Sequence, residues 1–191
     1  MKVKSLIGIG CLVACLVCPA VFAQEEAPTA ELFGGLSIMS FEDEDCAYHP
    51  KGSLRGWGTS LAINLDPSFA IKADISGLYS GVETSGGDRI EGSGINQHNI
   101  LGGVQYTKRY ESINVFGEAL GGFAHVDEKL TSSHKHAYKG IAMAFGGGVD
   151  WKINRNISWR VAQVDYMPAR WNQKMHHSVR FQTGVLIPLG K

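Results

Sequence analysis

Cysteine is scarce where an exported fold would use it. The chain has 191 residues and 4 cysteines, and Cys11, Cys15 and Cys18 all lie in the first 23 residues. Cys46 is the only one left after that segment, so no disulfide within the remainder is expected to hold the fold. An excess of either charge is also missing. Lys+Arg and Asp+Glu both number 18, which gives no electrostatic reason to expect nucleic acid as a partner. Past the leader, no apolar run approaches the ~20 residues of a membrane helix. No helical period of comparable length appears either. If the chain enters a membrane, it must do so as strands.

The leader itself reads clearly. Lys2 and Lys4 precede an apolar run from Leu6, and Val21-Phe22-Ala23 fits a small-residue cleavage site before Gln24. Residues 1–23 are thus expected to be a secretory signal peptide, and 24–191 one domain. A second processing route stays open. Leu12-Val13-Ala14-Cys15 resembles a bacterial lipobox, which would place a lipid on Cys15.

What the sequence has in plenty is two-residue alternation and glycine, at 24 residues. Eight alternating segments are expected, near Glu31–Phe41, Leu54–Leu65, Phe69–Ser80, Asn96–Thr107, Ile113–Val126, Tyr138–Trp151, Ile157–Met167 and Ser178–Leu189. Each suits the ~9–11 residues of a tilted membrane strand. Short connections (Asp66-Pro67-Ser68, Lys108–Ser112, Lys152–Asn156) alternate with long polar ones (Glu42–Ser53, Gly81–Ile95, Asp127–Ala137, Pro168–His177). Sorting loop length by end is the pattern of a membrane barrel.

The faces decide between a soluble sheet and a membrane one. In the third segment Phe69, Ile71, Ala73, Ile75 and Tyr79 share one parity, and Lys72, Asp74 and Ser76 the other. In the sixth, Ile141, Met143, Phe145, Val149 and Trp151 oppose Ala142, Ala144, Gly146, Gly148 and Asp150. A core made from the small face would be nearly empty. Lipid against the large face, with small and polar residues in a narrow lumen, resolves the pattern. The expected fold is therefore all-β: an eight-stranded antiparallel up-and-down transmembrane barrel. Phe69, Tyr106, Trp151 and Trp159 would form one interfacial belt, and Trp57, Tyr79, Phe123, Tyr138 and Tyr166 the other. The seventh segment breaks parity, and a bulge near Ala162 would put Arg160, Gln163 and Asp165 all inside.

The phrases "ELFGGLSIM" at Glu31, "FGEALGGFAH" at Phe116, "AMAFGGGVDWKIN" at Ala142 and "VDYMPARW" at Val164 resemble the outer-membrane β-barrel domain family. More broadly, the chain resembles small outer-membrane barrels such as the transmembrane domain of outer membrane protein A and outer membrane protein X. Gln182, Gly184, Ile187 and Leu189 fit the spacing of the barrel assembly signal, except that the chain ends Leu189-Gly190-Lys191 where an aromatic is usual. The resemblance implies a cell-outer-membrane location and a monomer. It also implies partners in outer-membrane lipid, lipopolysaccharide and the outer-membrane assembly machinery. It implies no cofactor and transfers no catalytic residue.

Candidate chemistry comes from two sets of residues. Lys72, Asp74, Glu118, Arg160 and Arg180 have lumen parity and both signs, and are expected to pair inside the barrel or, alternatively, to line a narrow ion path. All seven histidines fall in the long-connection half, and His134, His136, His176 and His177 are candidate ligands for a transition metal. Glu42-Asp43-Glu44-Asp45 is an acidic run on the same side, suited to weak binding of a hard cation. His176-x-Ser178 resembles the His-x-Ser pair of lipid A deacylases, but no Asp or Glu follows Asp165 to orient the histidine. The leading expectation is a non-enzymatic protein of envelope integrity, surface contact or limited small-solute passage. A lipid-acting enzyme, a surface metal-binding barrel and a soluble lipocalin-like binder are the alternatives.

Overall fold

The computed structural model describes residues 27–42, 52–83, 89–131, 134–171 and 174–190. The expected signal peptide of residues 1–23, the sequence around Cys46 and most of the acidic run lie outside these. Eight strands form β1 (Ala30–Glu42), β2 (Gly52–Asn64), β3 (Phe69–Glu83), β4 (Arg89–Arg109), β5 (Ile113–Thr131), β6 (His134–Lys152), β7 (Ser158–Trp171) and β8 (Lys174–Leu189). Each pairs antiparallel with its sequence neighbours, and β1 closes on β8, with Gly34 opposite Val185 and Ile38 opposite Phe181. The expected eight-stranded up-and-down barrel is the fold. Closure leaves no edge strand to be satisfied, which is the condition for a sheet in hydrocarbon.

The outside is greasy and the inside polar. Leu36, Ile71, Ile100, Phe123, Ile141, Phe145 and Ile187 point outward and are exposed. Lys72, Asp74, Asn99, Gln163, Asp165, Arg180 and Gln182 lie inside at 0–1% exposure. A water-soluble protein would not bury Lys72, Arg109, Arg160 and Arg180 and leave Phe123 and Phe145 bare. The exterior is made for the acyl region of a bilayer.

The short turns are closed by local chemistry. Asp66 Oδ1 accepts hydrogen bonds from the backbone N–H of Ser68 (2.7 Å) and Phe69 (2.9 Å). Asn154 Oδ1 does the same for Asn156 (2.8 Å) and Ile157 (2.9 Å). These Asx turns reverse the chain within four residues. Beside them the aromatic belt forms across strands. Phe69 sits opposite Tyr106 with ring centroids 5.0 Å apart, and Trp151 opposite Trp159 at 6.4 Å.

At the other end the structure corrects two expectations. Most of what reads as long loop is strand: β4 begins at Arg89, β5 runs to Thr131, β6 starts at His134 and β8 at Lys174. The reason is that alternation reports a face in lipid. Past the bilayer both faces are wet, the apolar pattern fades, and the hydrogen-bonded ladder continues without it. Tyr138 is the second correction. It shares parity with the buried Ala142 and Ala144 and is half-buried, so it belongs to the inner face and not to the outer belt.

The parity break in β7 is a bulge. Pairing with β8 shifts between Arg160 and Gln163, and pairing with β6 shifts between Val149 and Asp150. One extra residue lets Arg160, Gln163 and Asp165 all face the lumen.

Candidate functional site in the barrel interior

The lumen is filled in three layers. At the short-turn end, Arg109 from β4 donates to Glu31 of β1 at 2.8 Å and to Asn64 Oδ1 at 3.2 Å. Its other terminal nitrogen donates to the Pro67 carbonyl. This knot ties the first strand to the first turn. Outside it opens a vestibule of about 670 Å³, lined by Glu31, Arg109, Asn114, Lys152 and Arg155 among others.

The middle layer holds most of the charge. Arg160 grips Asp150 through Nε (2.7 Å) and Nη2 (3.1 Å), a bidentate pair. Its third nitrogen donates to Gln163 Oε1 at 2.8 Å. The guanidinium plane lies between two rings, 4.6 Å from the Phe33 centroid and 4.2 Å from that of Phe116. Lys72 donates to Glu118 Oε2 at 2.6 Å. Gln163 Nε2 donates to Glu118 Oε1 (3.0 Å) and to Asp165 Oδ2 (2.8 Å). Arg180 bridges Asp165 (2.9 Å) and Asp74 (2.7 Å). The chain of bonds continues from Arg180 to Ser76 and from Asn99 to Ser76, with Gln97 donating to Asn99.

Of the five charged residues singled out in the sequence, the structure joins Lys72 directly to Glu118 and Asp74 directly to Arg180. Arg160 reaches Glu118 through Gln163. Asp150, Asp165 and Gln163 complete the network, and the Glu31–Arg109 pair stands below it. Asp150 carried a signal, since it alternates with Gly146 and Gly148. Phe33 and Phe116 carried a misleading one, because Phe69, Phe123, Phe145 and Phe181 all face out. Glycines on the same face make room for them. A Cβ on Gly35 would lie 2.9 Å from the Phe33 ring, and one on Gly148 2.8 Å from the Phe116 ring.

The third layer is apolar. Met39, Leu54, Leu78, Leu101, Leu120 and Met167 meet over the charged network toward the long-connection end, with Ala124, Ala142, Ala144 and Ala169 between them. Two of the buried leucines face gaps left by smaller partners: Leu101 is opposite Gly122 and Leu120 opposite Gly103. A packed apolar layer excludes hydrated ions as firmly as a paired charge network fixes the side chains beneath it.

Of the four candidate histidines, His176 and His177 have described side chains. His176 and His177 are consecutive on β8 and so face opposite sides. His177 lies outside, stacked on Tyr166 with centroids 5.8 Å apart and bonded to its hydroxyl. His176 has the lumen parity of Ser178 and Arg180. His134 and His136 lie in the first turns of β6, where the backbone is described and the side chains are not. Among the described residues, no three His, Cys, Asp or Glu side chains gather as a metal site. Asp165, the acid nearest in sequence to His176, is engaged by Arg180 and Gln163.

No protein-family model matches the chain, and no curated protein matches it in sequence. The fold does match solved structures. Neisserial surface protein A aligns with a TM-score of 0.62 at 13% identity, covering 86% of this chain and 100% of that one. Ail, the attachment invasion locus protein of Yersinia pestis, aligns at 0.58 and 13% identity, covering 84% and 99%. The outer membrane protein OprG from Pseudomonas aeruginosa aligns at 0.58 and 14% identity, covering 89% and 100%. The chain therefore has the fold of the small outer-membrane barrels, which the sequence phrases resemble.

Proposed function

We propose that this chain is a closed, non-enzymatic barrel of the bacterial outer membrane that acts through its surface and not through a pore. One observation carries the reading: the lumen is spanned by a continuous hydrogen-bonded charge network under a packed apolar layer. Opening a water path would unpair buried ions and strip an apolar layer at once. What remains for function is the outside and the long hairpins. The ladder of β5 and β6 continues to Thr131 opposite His134, well past the outermost apolar row. Extended hairpins of this kind present stiff, polar surface for contact or for holding the envelope together.

The test is conductance. Refolded protein inserted in planar bilayers should give no current above that of bare lipid. A large, stable open channel in the parent protein would overturn the reading.

A further inference from the structure

The lumen buries an unequal set of charges. Glu31, Asp74, Glu118, Asp150 and Asp165 are buried carboxylates, and Lys72, Arg109, Arg160 and Arg180 are buried cations. Among the described residues the interior therefore holds one carboxylate more than it has cations. The surplus has a place. Glu31 is matched by Arg109, Asp150 by Arg160 and Glu118 by Lys72. Arg180 serves two carboxylates, Asp74 and Asp165. An unmatched charge at 0% exposure is costly to bury, and a native fold meets it with a counter-charge.

Each of these two carboxylates has one oxygen that takes no hydrogen bond among the described residues, Asp74 Oδ2 and Asp165 Oδ1. Asp165 Oδ1 is pressed against β6, where a Cβ on Gly146 would lie 2.3 Å from it. Asp74 Oδ2 has different neighbours. Ser37 Oγ and both amide atoms of Gln182 are also buried without a hydrogen bond, on side chains of 0% exposure. Ser37 and Gln182 are opposite one another on β1 and β8. The Gln182 amide reaches past β1 to Gly58 on β2, where a Cβ would lie 2.2 Å from Nε2 and 3.8 Å from Ser37 Cβ. Gly58 is opposite Ser76, and Ser60, next on the same face, is opposite Asp74 itself. Strands β1, β3 and β8 thus bring a hydroxyl, a carboxylate and an amide to one small-walled patch of β2. Neither amide atom of Gln182 is engaged, so nothing holds its oxygen away from the patch. Unpartnered oxygens beside one surplus negative charge are the chemistry of an oxygen-coordinated cation. The surplus is a single charge, which a monovalent ion matches and a divalent one overshoots.

We infer that Asp74, Ser37 and Gln182 form a buried site for one monovalent cation of the alkali class, taken up as the barrel closes. Asp74 Oδ2 supplies the charge, and Ser37 Oγ and Gln182 Oε1 supply neutral oxygens. Asp74 Oδ1 stays with Arg180 at 2.7 Å, and the interior becomes neutral. Toward the long-connection end the next inner-face residues on these walls are Met39, Leu54 and Leu78, members of the apolar layer. They seal the ion from that side. The inference goes beyond the surface role proposed above and does not depend on it.

The experiment uses the full mature chain, refolded in neutral detergent with rubidium chloride as the probe and then exchanged into choline chloride. Retained metal is read by inductively coupled plasma mass spectrometry. The parent should retain a single rubidium ion per chain. Asp74→Asn, which leaves Arg180 paired with Asp165, should bring retention to background. Gln182→Leu keeps every charge in place and should weaken retention severalfold. Asp127→Asn, at the exposed rim, should leave it unchanged. Heat-dependent gel migration shows that each protein compared is folded. The urea midpoint of the parent should be higher in rubidium chloride than in choline chloride at equal ionic strength, and Asp74→Asn should lose that difference. A folded parent that retains no rubidium would overturn the proposal, leaving the surplus charge to a proton or the patch to water. So would full retention in Asp74→Asn or Gln182→Leu, or an equal loss in Asp127→Asn.

Discussion

Gly121 and Gly122 are neighbours in β5 with opposite reasons for being glycine. Gly122 faces the lumen, where a Cβ would fall 2.1 Å from the Ile100 carbonyl oxygen and 2.9 Å from the Leu101 Cα. Gly121 faces lipid, and a Cβ there would meet nothing within 4 Å. On β4 the pair Gly102 and Gly103 repeats the contrast, with 3.8 Å of clearance outside and 2.1 Å inside. The inner wall is overdetermined: every side chain has been fitted against others across a narrow tube. The outer wall is looser at these positions, since lipid conforms to whatever shape it meets; it is tight only where an outward glycine meets a neighbour, as at Gly77 under Trp57 and Tyr79 and at Gly147, where a Cβ would lie 2.3 Å from the Phe116 carbonyl oxygen. One strand serves both conditions by alternation.

The largest consequence concerns inner charge. Arg180 is 0% exposed and holds both Asp74 and Asp165. Arg180→Ala leaves two buried carboxylates facing each other, and should cost ~3–5 kcal/mol. Urea unfolding of the lipid-reconstituted protein measures it. Combining Arg180→Met with Asp74→Asn and Asp165→Asn should recover much of the loss, because the penalty comes from unpaired charge and not from missing attraction. On the outer wall, Lys139→Ala should change stability by less than ~0.5 kcal/mol. Equal losses at Arg180 and Lys139 would end the distinction between the walls.

The glycine pair gives a smaller effect of opposite sign. Gly122→Ala must push backbone apart and should destabilise by ~1–3 kcal/mol. Gly121→Ala has room, and restricting the unfolded chain should stabilise it by ~0.4–1 kcal/mol. The same unfolding assay reads both. If the outward substitution were the more damaging, lipid-facing glycine would have to be seated against a partner.

Alternation made the outer wall legible in sequence. Ile71, Ile75, Phe145 and Val185 could be placed outside from parity alone, because hydrocarbon rewards any large apolar residue. The inner wall was legible only as a set. Lys72, Asp74, Glu118, Arg160 and Arg180 share its parity, but which charges meet depends on the stagger around the tube, and parity carries no stagger. Hence Asp150 as the partner of Arg160, and Phe33 and Phe116 as its stacking planes, emerge only in three dimensions. The bulge in β7 was legible because Arg160 and Asp165 cannot share a face without it. The hairpin extensions were not, since polar sequence above the bilayer reads alike as loop or strand. The same holds for His98 and His125, which are far apart in sequence and opposite one another only through register.

The smallest expected effect lies where the two walls meet, at the first short turn. The backbone N–H groups of Ser68 and Phe69 hold the Asp66 carboxyl below its ordinary value, chiefly by bonding its charged form. A folded value below the unfolded one means the turn is favoured while the carboxylate is ionised. That contribution is fully present above the unfolded pKa and is lost as pH falls through the folded one, in the acid range below 3.8. Asp66→Ala removes both hydrogen bonds and should lower stability slightly at neutral pH. The difference between variant and parent should then shrink as the pH is brought down through that range, because the parent loses what the variant never had. Asp66→Asn keeps an acceptor oxygen and should retain part of the turn with a flatter acid profile. Unfolding measured in parallel at neutral and acid pH tests this. A gap between Asp66→Ala and the parent that widened in acid would mean that the turn draws its stability from elsewhere, with the Ser68 and Phe69 amides satisfied by water.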